Sequence, residues 1–233
     1  MRTLVLWDID HTLVSIAGLS AEIYAAVFQE ITGRPLERLA HMAGRTDRAI
    51  ISETLGFHSL TPTEDVMTAF GDALAAAFAD RADDLRRRGR ILPGVEEALS
   101  ALAARPEVVQ SVLTGNMDSI ASAKLTAFGL HRFVDLDIGA FGFDGVERPP
   151  LVGLARERAA EKYGGSFDPA HTVLIGDTPH DVLAGHRGGA RVVAVATGAS
   201  DEAALRAAGA ELVLADLSDT DDVVRSVLGI SAP

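Results

Sequence analysis

The chain has 233 residues, 48% of them hydrophobic, which is enough for a full core in one domain or in a domain with a sizeable insertion. Its 21 basic and 33 acidic residues give a net charge of -12, which argues against an electrostatic footprint for nucleic acid or an anionic membrane and leaves small molecules or other proteins as partners. Cysteine is absent, so disulfides, zinc-thiolate sites and thiol nucleophiles are excluded. The N-terminal apolar run is cut short by Asp8 and Asp10 and no later run is long enough to span a bilayer, so a cytoplasmic location is expected.

In chain order, Thr3 to Trp7 reads as a buried strand, and it ends in Asp8-Ile9-Asp10-His11-Thr12-Leu13. Residues 15 to 90 then contain helical patterns and no convincing strand. Helices are expected near Ala21 to Ile31 and near Asp47 to Leu55, with Gly56 behind the second. A third opens at a capping box, Thr61-Pro62-Thr63-Glu64, with Pro62 at the first helical position. It carries Val66, Phe70, Leu74 and Phe78 at i+4 spacing, a stripe read as internal bundle core rather than substrate contact. This predicts an inserted helical cap over residues 15 to 90, with residues 1 to 14 and 91 to 233 forming the core. Arg86-Arg87-Arg88-Gly89-Arg90 reads as a solvated hinge edge leading into the turn at Leu92-Pro93-Gly94.

Beyond the insertion, strands are expected at Val109 to Leu113, Val134 to Ile138, Thr172 to Ile175, Arg191 to Val195 and Glu211 to Leu214. Between them lie helices at Ser119 to Phe128, closed by Gly129, and at Leu151 to Tyr163, bounded by Pro149-Pro150 and Gly164-Gly165. Strands alternating with helices predict an α/β fold, a Rossmann-like parallel sheet covered on both faces, carrying the α-helical cap as an insertion. The Gly-x-Gly-x-x-Gly and Gly-x-x-x-x-Gly-Lys phosphate loops are missing.

In an open parallel sheet, ligands bind beyond the carboxyl ends of the strands near the switch point. Asp8, Thr114 and Asp177 each lie immediately after a predicted strand, and with Asp10 and Asp181 that edge holds four carboxylates. Carboxylates so close would raise one another's pKa values unless a cation offsets them, and an oxygen-only ligand set suits Mg2+. Thr114-Gly115-Asn116 offers a hydroxyl and main-chain N–H groups, with a glycine that permits close approach to phosphate oxygens.

With these residues the chain resembles the haloacid dehalogenase-like (HAD) superfamily, and is most similar to its phosphatases and phosphomutases with a helical cap, of the phosphoglycolate phosphatase kind. The family's Asp-x-Asp-x-Thr motif is matched by Asp8, Asp10 and Thr12, its Thr or Ser motif by Thr114, and its acidic fourth motif by Asp177 and Asp181. The resemblance implies that Asp8 attacks phosphorus to give an aspartyl-phosphate and that Asp10 serves as acid and base. It implies Mg2+ on the Asp8 side chain, the Asp10 carbonyl and Asp177, with Asp181 and Thr12 in support. Thr114, Gly115, Asn116 and a basic residue would hold the phosphoryl oxygens.

The family's third motif is usually a lysine, whereas this chain has Arg148 before Pro149-Pro150. Its two lysines, Lys124 and Lys162, fall in helix patterns away from that slot. Arg148 is the natural substitute, with a larger, planar head. His11, where the family often has glycine, is assigned to packing or turn chemistry. The expected activity is hydrolysis of a small phosphorylated metabolite. A phosphomutase of the β-phosphoglucomutase type and a catalytically weak HAD-like binding protein stay open as alternatives. Asp10 disfavours a dehalogenase, and a cap without lysine disfavours imine-forming phosphonate hydrolysis. Gly44-Arg45-Thr46-Asp47 supports two readings, Arg45 turned toward an anionic substrate or a helix-capping turn with Thr46 or Asp47 as cap. Phosphoglycolate and sugar phosphates are the substrates the resemblance suggests. The sequence leaves the oligomeric state open.

Overall fold

The computed structural model describes residues 2–229. Five parallel strands form the sheet: β1 (Thr3–Trp7), β4 (Val108–Val112), β5 (Thr172–Gly176), β6 (Arg191–Val195) and β7 (Leu212–Leu214), in the order β4-β1-β5-β6-β7. The chain leaves β1 for β4 on one side and returns to β5 on the other, so the switch point lies at the carboxyl end of β1. All five β1 residues are buried, as expected of a strand covered on both faces, and they register with Val108–Val112 and with Thr172–Ile175.

Helices α5 (Val95–Ala103) and α10 (Thr220–Leu228) cover one face of the sheet. Their Leu99, Leu102, Val223 and Val227 join Val5, Trp7 and Val112 in one apolar cluster. Helices α7 (Pro149–Tyr163) and α8 (Pro179–Gly188) cover the other, where Val152, Ala155 and Ala184 meet Leu4, Leu6 and Leu174. The remaining core helices are α6 (Asp118–Ala127) and α9 (Glu202–Ala207).

Between β1 and α5, the chain forms α1 (Leu19–Thr32), α2 (Asp47–Phe57), α3 (Glu64–Asp80) and α4 (Ala82–Arg88). These helices share a separate apolar cluster, in which Phe28, Ile51, Phe70, Leu74 and Phe78 pack together and reach Ile120 on α6. The segments entering and leaving this insertion pair antiparallel as β2 (Val14–Ser15) and β3 (Arg90–Ile91).

The structure moves three expected elements. Val134 to Ile138 is no strand: its apolar-polar alternation is spent on a 3-10 turn at Leu136–Ile138, capped by the Asp135 carboxylate accepting from Asp137 N–H at 3.2 Å. The sheet is extended at that edge only by Ala140, which bridges Leu113. The third helix of the insertion starts later than its proline suggests, because Thr63, not Thr61, is the N-cap, its hydroxyl accepting from Val66 N–H. Arg86, Arg87 and Arg88 belong to α4 rather than to a hinge. They form exposed ion pairs, including Arg86 with Asp83 at 2.9 Å and Arg88 with Glu22 at 2.6 Å.

Trp7 ties β1 to the edge strand β4 and, through it, to α5, its indole N–H donating to Gln110 Oε1 at 3.0 Å while Gln110 Nε2 donates to the Leu99 carbonyl at 3.0 Å. Trp7→Phe keeps most of the apolar volume and orphans the buried Gln110 carbonyl. Denaturant unfolding followed by circular dichroism should show a loss of about 1–3 kcal/mol.

Candidate active site

The site is built where β1, β4 and β5 end. Asp8 directly follows β1 and its N–H donates to the Ile175 carbonyl at 2.9 Å, which fixes the turn against β5. Its carboxylate is buried. Oδ1 accepts from Arg148 Nη2 at 3.1 Å, and Oδ2 from the Thr12 hydroxyl at 3.4 Å. Thr12 also lies 3.3 Å from Asp177 Oδ1, so one hydroxyl sits between two carboxylates. His11 occupies the left-handed region at φ 62°, and its carbonyl accepts from Thr197 Oγ1 at 2.6 Å, consistent with a turn role.

Arg148 precedes the first turn of α7 and is 5% exposed. The same guanidinium nitrogen that meets Asp8 also reaches the Leu113 carbonyl at 3.3 Å and pairs with Asp181, while Arg148 Nε is buried without a partner. Asp181 serves two ends at once. Its Oδ1 holds Arg148, and its Oδ2 accepts from Thr178 N–H at 3.0 Å as the reciprocal half of the α8 capping box. With both oxygens engaged, Asp181 is placed to support rather than to coordinate.

Asp10 faces a different environment, with its side chain 37% exposed. Lys124 Nζ donates to both its oxygens at 2.7 and 2.6 Å, and Asn116 Nδ2 donates at 2.7 Å. The third Lys124 contact is Asn116 Oδ1 at 2.8 Å, so the buried ammonium has three oxygen partners. Thr114 Oγ1 accepts from both nitrogens of Asn116, at 3.2 and 2.9 Å, leaving its own O–H to donate into the cavity. Asn116 N–H is thereby committed inside the loop rather than presented to a ligand. Gly115 is required on steric grounds, since a Cβ there would lie 1.9 Å from the Arg45 carbonyl oxygen.

Lys124 is the residue the sequence reading sets aside. It lies in α6, as a helix pattern suggests, yet that helix carries it into the site. The available signal is its position four residues after the buried Ile120 and beside the buried Leu125, on a helix face where an unpaired lysine would be costly. Arg45 lines the cavity, but its guanidinium pairs with Glu53, and Thr46 caps α2 by accepting from Ala49 N–H at 3.2 Å. Phe78 keeps its place in the helical core while also lining the cavity.

The two halves of the site titrate in opposite directions. Burial first, then the neighbouring Asp181 charge, pushes the Asp8 carboxyl upward against the pull of Arg148. Burial followed by Asp8 and Asp181 pushes Asp177 upward as well. For Asp10 burial also acts upward, but Lys124 and Asn116 outweigh it and hold the carboxyl below its ordinary value. Asp8, Asp177 and Asp181 bring carboxylate oxygens within 4.8 Å of one another, and Arg148 is the one cation bonded to any of the three among the described residues. Three negative charges against one positive leave an oxygen-rich, under-compensated cluster that fits a divalent cation. A Cβ at position 198 would lie 1.8 Å from Asp177 Oδ2, so Gly198 keeps that carboxylate clear.

Arg148→Met should strand Asp8 and Asp181 without their buried cation. Denaturant unfolding should show a loss of about 3–5 kcal/mol, since removing one partner of a buried pair leaves an uncompensated charge.

Residues 5–186 match the family model described as haloacid dehalogenase-like hydrolase. The chain is 28% identical over 250 residues to the protein named "Probable phosphatase IndB" of Dickeya dadantii, covering 100% of this chain and 97% of the relative. It is 29% identical over 224 residues to a phosphoglycolate phosphatase of Caulobacter vibrioides, covering 92% and 87%. A solved hydrolase from Pseudomonas syringae superposes with a TM-score of 0.70 at 23% identity, covering 99% of this chain and 100% of that one, which shows the shared fold. With a family match over most of its length and the fold to go with it, this chain belongs to the haloacid dehalogenase-like hydrolases.

Proposed function

We propose that this protein is a Mg2+-dependent phosphatase that hydrolyses a small phosphate monoester through an aspartyl-phosphate on Asp8. The observation that carries the reading is the Asp8/Asp10 pair: two carboxylates two positions apart, one buried against Arg148 and the other facing the cavity on Lys124 and Asn116. Different environments are what a nucleophile and an acid/base partner require. Relatives named as phosphatases, matched over nearly their whole length, support the same chemistry.

Asp8 attacks phosphorus through the carboxylate oxygen left to Thr12, while Arg148 fixes the other oxygen. Asp10, which Lys124 and Asn116 hold ionised, takes the proton carried by the monoanionic substrate, passes it to the departing oxygen and later takes one from water. The Thr114 hydroxyl and the main chain at Gly115 hold phosphoryl oxygens. Asp8, Asp177 and the Asp10 carbonyl would hold Mg2+, whose charge offsets that of the phosphoryl group. The division into a core of residues 1 to 14 and 91 to 233 and a cap of residues 15 to 90 belongs to this proposal, with the cap excluding water from the intermediate.

Hydrolysis of p-nitrophenyl phosphate with Mg2+ should be abolished by EDTA, fall about 10^4-fold or more in Asp8→Asn, and fall about 10^2- to 10^4-fold in Asp10→Asn. Turnover that survives Asp8→Asn would rule the mechanism out. Production of inorganic phosphate without an added sugar bisphosphate separates a phosphatase from a phosphomutase.

Metal binding has a readout apart from activity. Asp8 and Asp177 have folded-state pKa values above the ordinary 3.8, so unfolding releases their protons and metal-free stability falls as pH rises past that value toward the raised ones. Thermal unfolding of the EDTA-treated protein should show Tm decreasing from about pH 5 to about pH 8, with Mg2+ raising Tm more at the higher pH. An Mg2+ effect that does not grow with pH would contradict the assignment.

A further inference from the structure

The cavity above Asp8 and Asp10 has a volume of about 220 Å³, and its far end is made by the helical insertion. A cavity of about 150 Å³ accommodates benzene, so there is room for a phosphoryl group and a ring-sized leaving group. Ile16, Met42, Ile50, Phe78 and Ile120 supply an apolar wall, with Ser20, Tyr24 and Asp47 as polar groups.

Asp47 is a buried carboxylate that the hydrolytic steps do not use. Its Oδ1 accepts from the Tyr24 hydroxyl and its Oδ2 from Met117 N–H at 2.7 Å, donors that favour the ionised form against burial, which pushes the carboxyl up to about 6. As the first residue of α2, directly after the Thr46 cap, it also sits where the helix dipole favours an anion. No cation is bonded to it among the described residues, and Lys124 acts on it only through space. Arg45 is tied to Glu53, Arg148 to Asp8 and Asp181, and Lys124 to Asp10. Apart from Asp8 and Asp177, which a divalent cation would offset, the lining carries the carboxylates of Asp10, paired with Lys124, and of Asp47, against two guanidiniums already bound to other carboxylates.

A phosphoryl group would meet Arg148 and Thr114 at one end. A second anionic group on the leaving side would instead meet Asp47, and like charges across a site suppress binding. An uncharged leaving group with hydroxyls meets acceptor lone pairs on Asp47 and Ser20 and apolar surface around them. We infer that this site, on the phosphatase reading above, selects phosphate monoesters whose leaving group is an uncharged polyol such as a sugar, against esters whose leaving group carries a carboxylate.

Two measurements test this with ribose 5-phosphate and phosphoglycolate as probes: kcat/KM in Mg2+ for the wild type, and binding to Asp8→Asn by calorimetry. The sugar phosphate should be favoured about tenfold or more in both. Asp47→Asn should narrow that ratio, and a ratio of two substrates is insensitive to the fraction of the variant that folds. Phosphoglycolate equal to or better than the sugar phosphate in both measurements overturns the inference, as does an unchanged ratio in Asp47→Asn. Turnover of p-nitrophenyl phosphate would then still stand for the phosphatase reading, so the two can fail separately.

Discussion

Carboxylates repel one another, and the carboxyl edge of this sheet gathers four of them with two buried cations, each brought in from a helix. Arg148 arrives at the start of α7 and Lys124 from within α6, so the helices that cover the sheet also set the charge at its edge. Each cation has its own carboxylates. Arg148 locks Asp8 to Asp181, Lys124 holds Asp10, and Asp177 keeps only a hydroxyl between itself and Asp8. The parallel register of β1 with β5 places Trp7 beside Ile175, so Asp8 and Asp177 leave the sheet at nearly the same level.

Function and stability draw on the same groups in opposite senses. A buried, incompletely compensated carboxylate cluster costs folding free energy, and several well-packed apolar clusters elsewhere offset it. Leu, Ile, Val and Phe side chains buried in those clusters each contribute about 1.5–3 kcal/mol relative to exposure. Such a fold tolerates a strained electrostatic centre without becoming soft around it.

The acidic half of the site was legible because strand ends and carboxylates are both local features: Thr3 to Trp7 followed by Asp8, and Thr172 to Ile175 followed by Asp177, announce themselves in a few residues. The parallel sheet with a helical insertion followed from the same alternation. Lys124 was harder to see because its partner, Asp10, is 114 residues away and only the packing of α6 brings the two together. Asp47 was visible as a capping candidate, but its contacts with Tyr24 and Met117 depend on how the insertion meets the loop after β4. Val134 to Ile138 misled for the opposite reason, since two-residue alternation over five positions fits a strand and a capped 3-10 turn equally well until Asp135 chooses.

The short antiparallel ladder of Val14–Ser15 with Arg90–Ile91 means that the chain enters and leaves the helical insertion at adjacent points. To the sheet, the intervening residues therefore behave as one closed excursion. Its ends stay paired whatever its length, and loop-closure cost grows only slowly with the number of residues enclosed. A lineage could lengthen, shorten or replace the excursion, and with it the chamber roof, while the strand ends beneath remain in register. The chamber roof is in that sense separable from the strand ends, apart from the contacts that Asp47 makes with Gly115 and Met117 in the loop after β4.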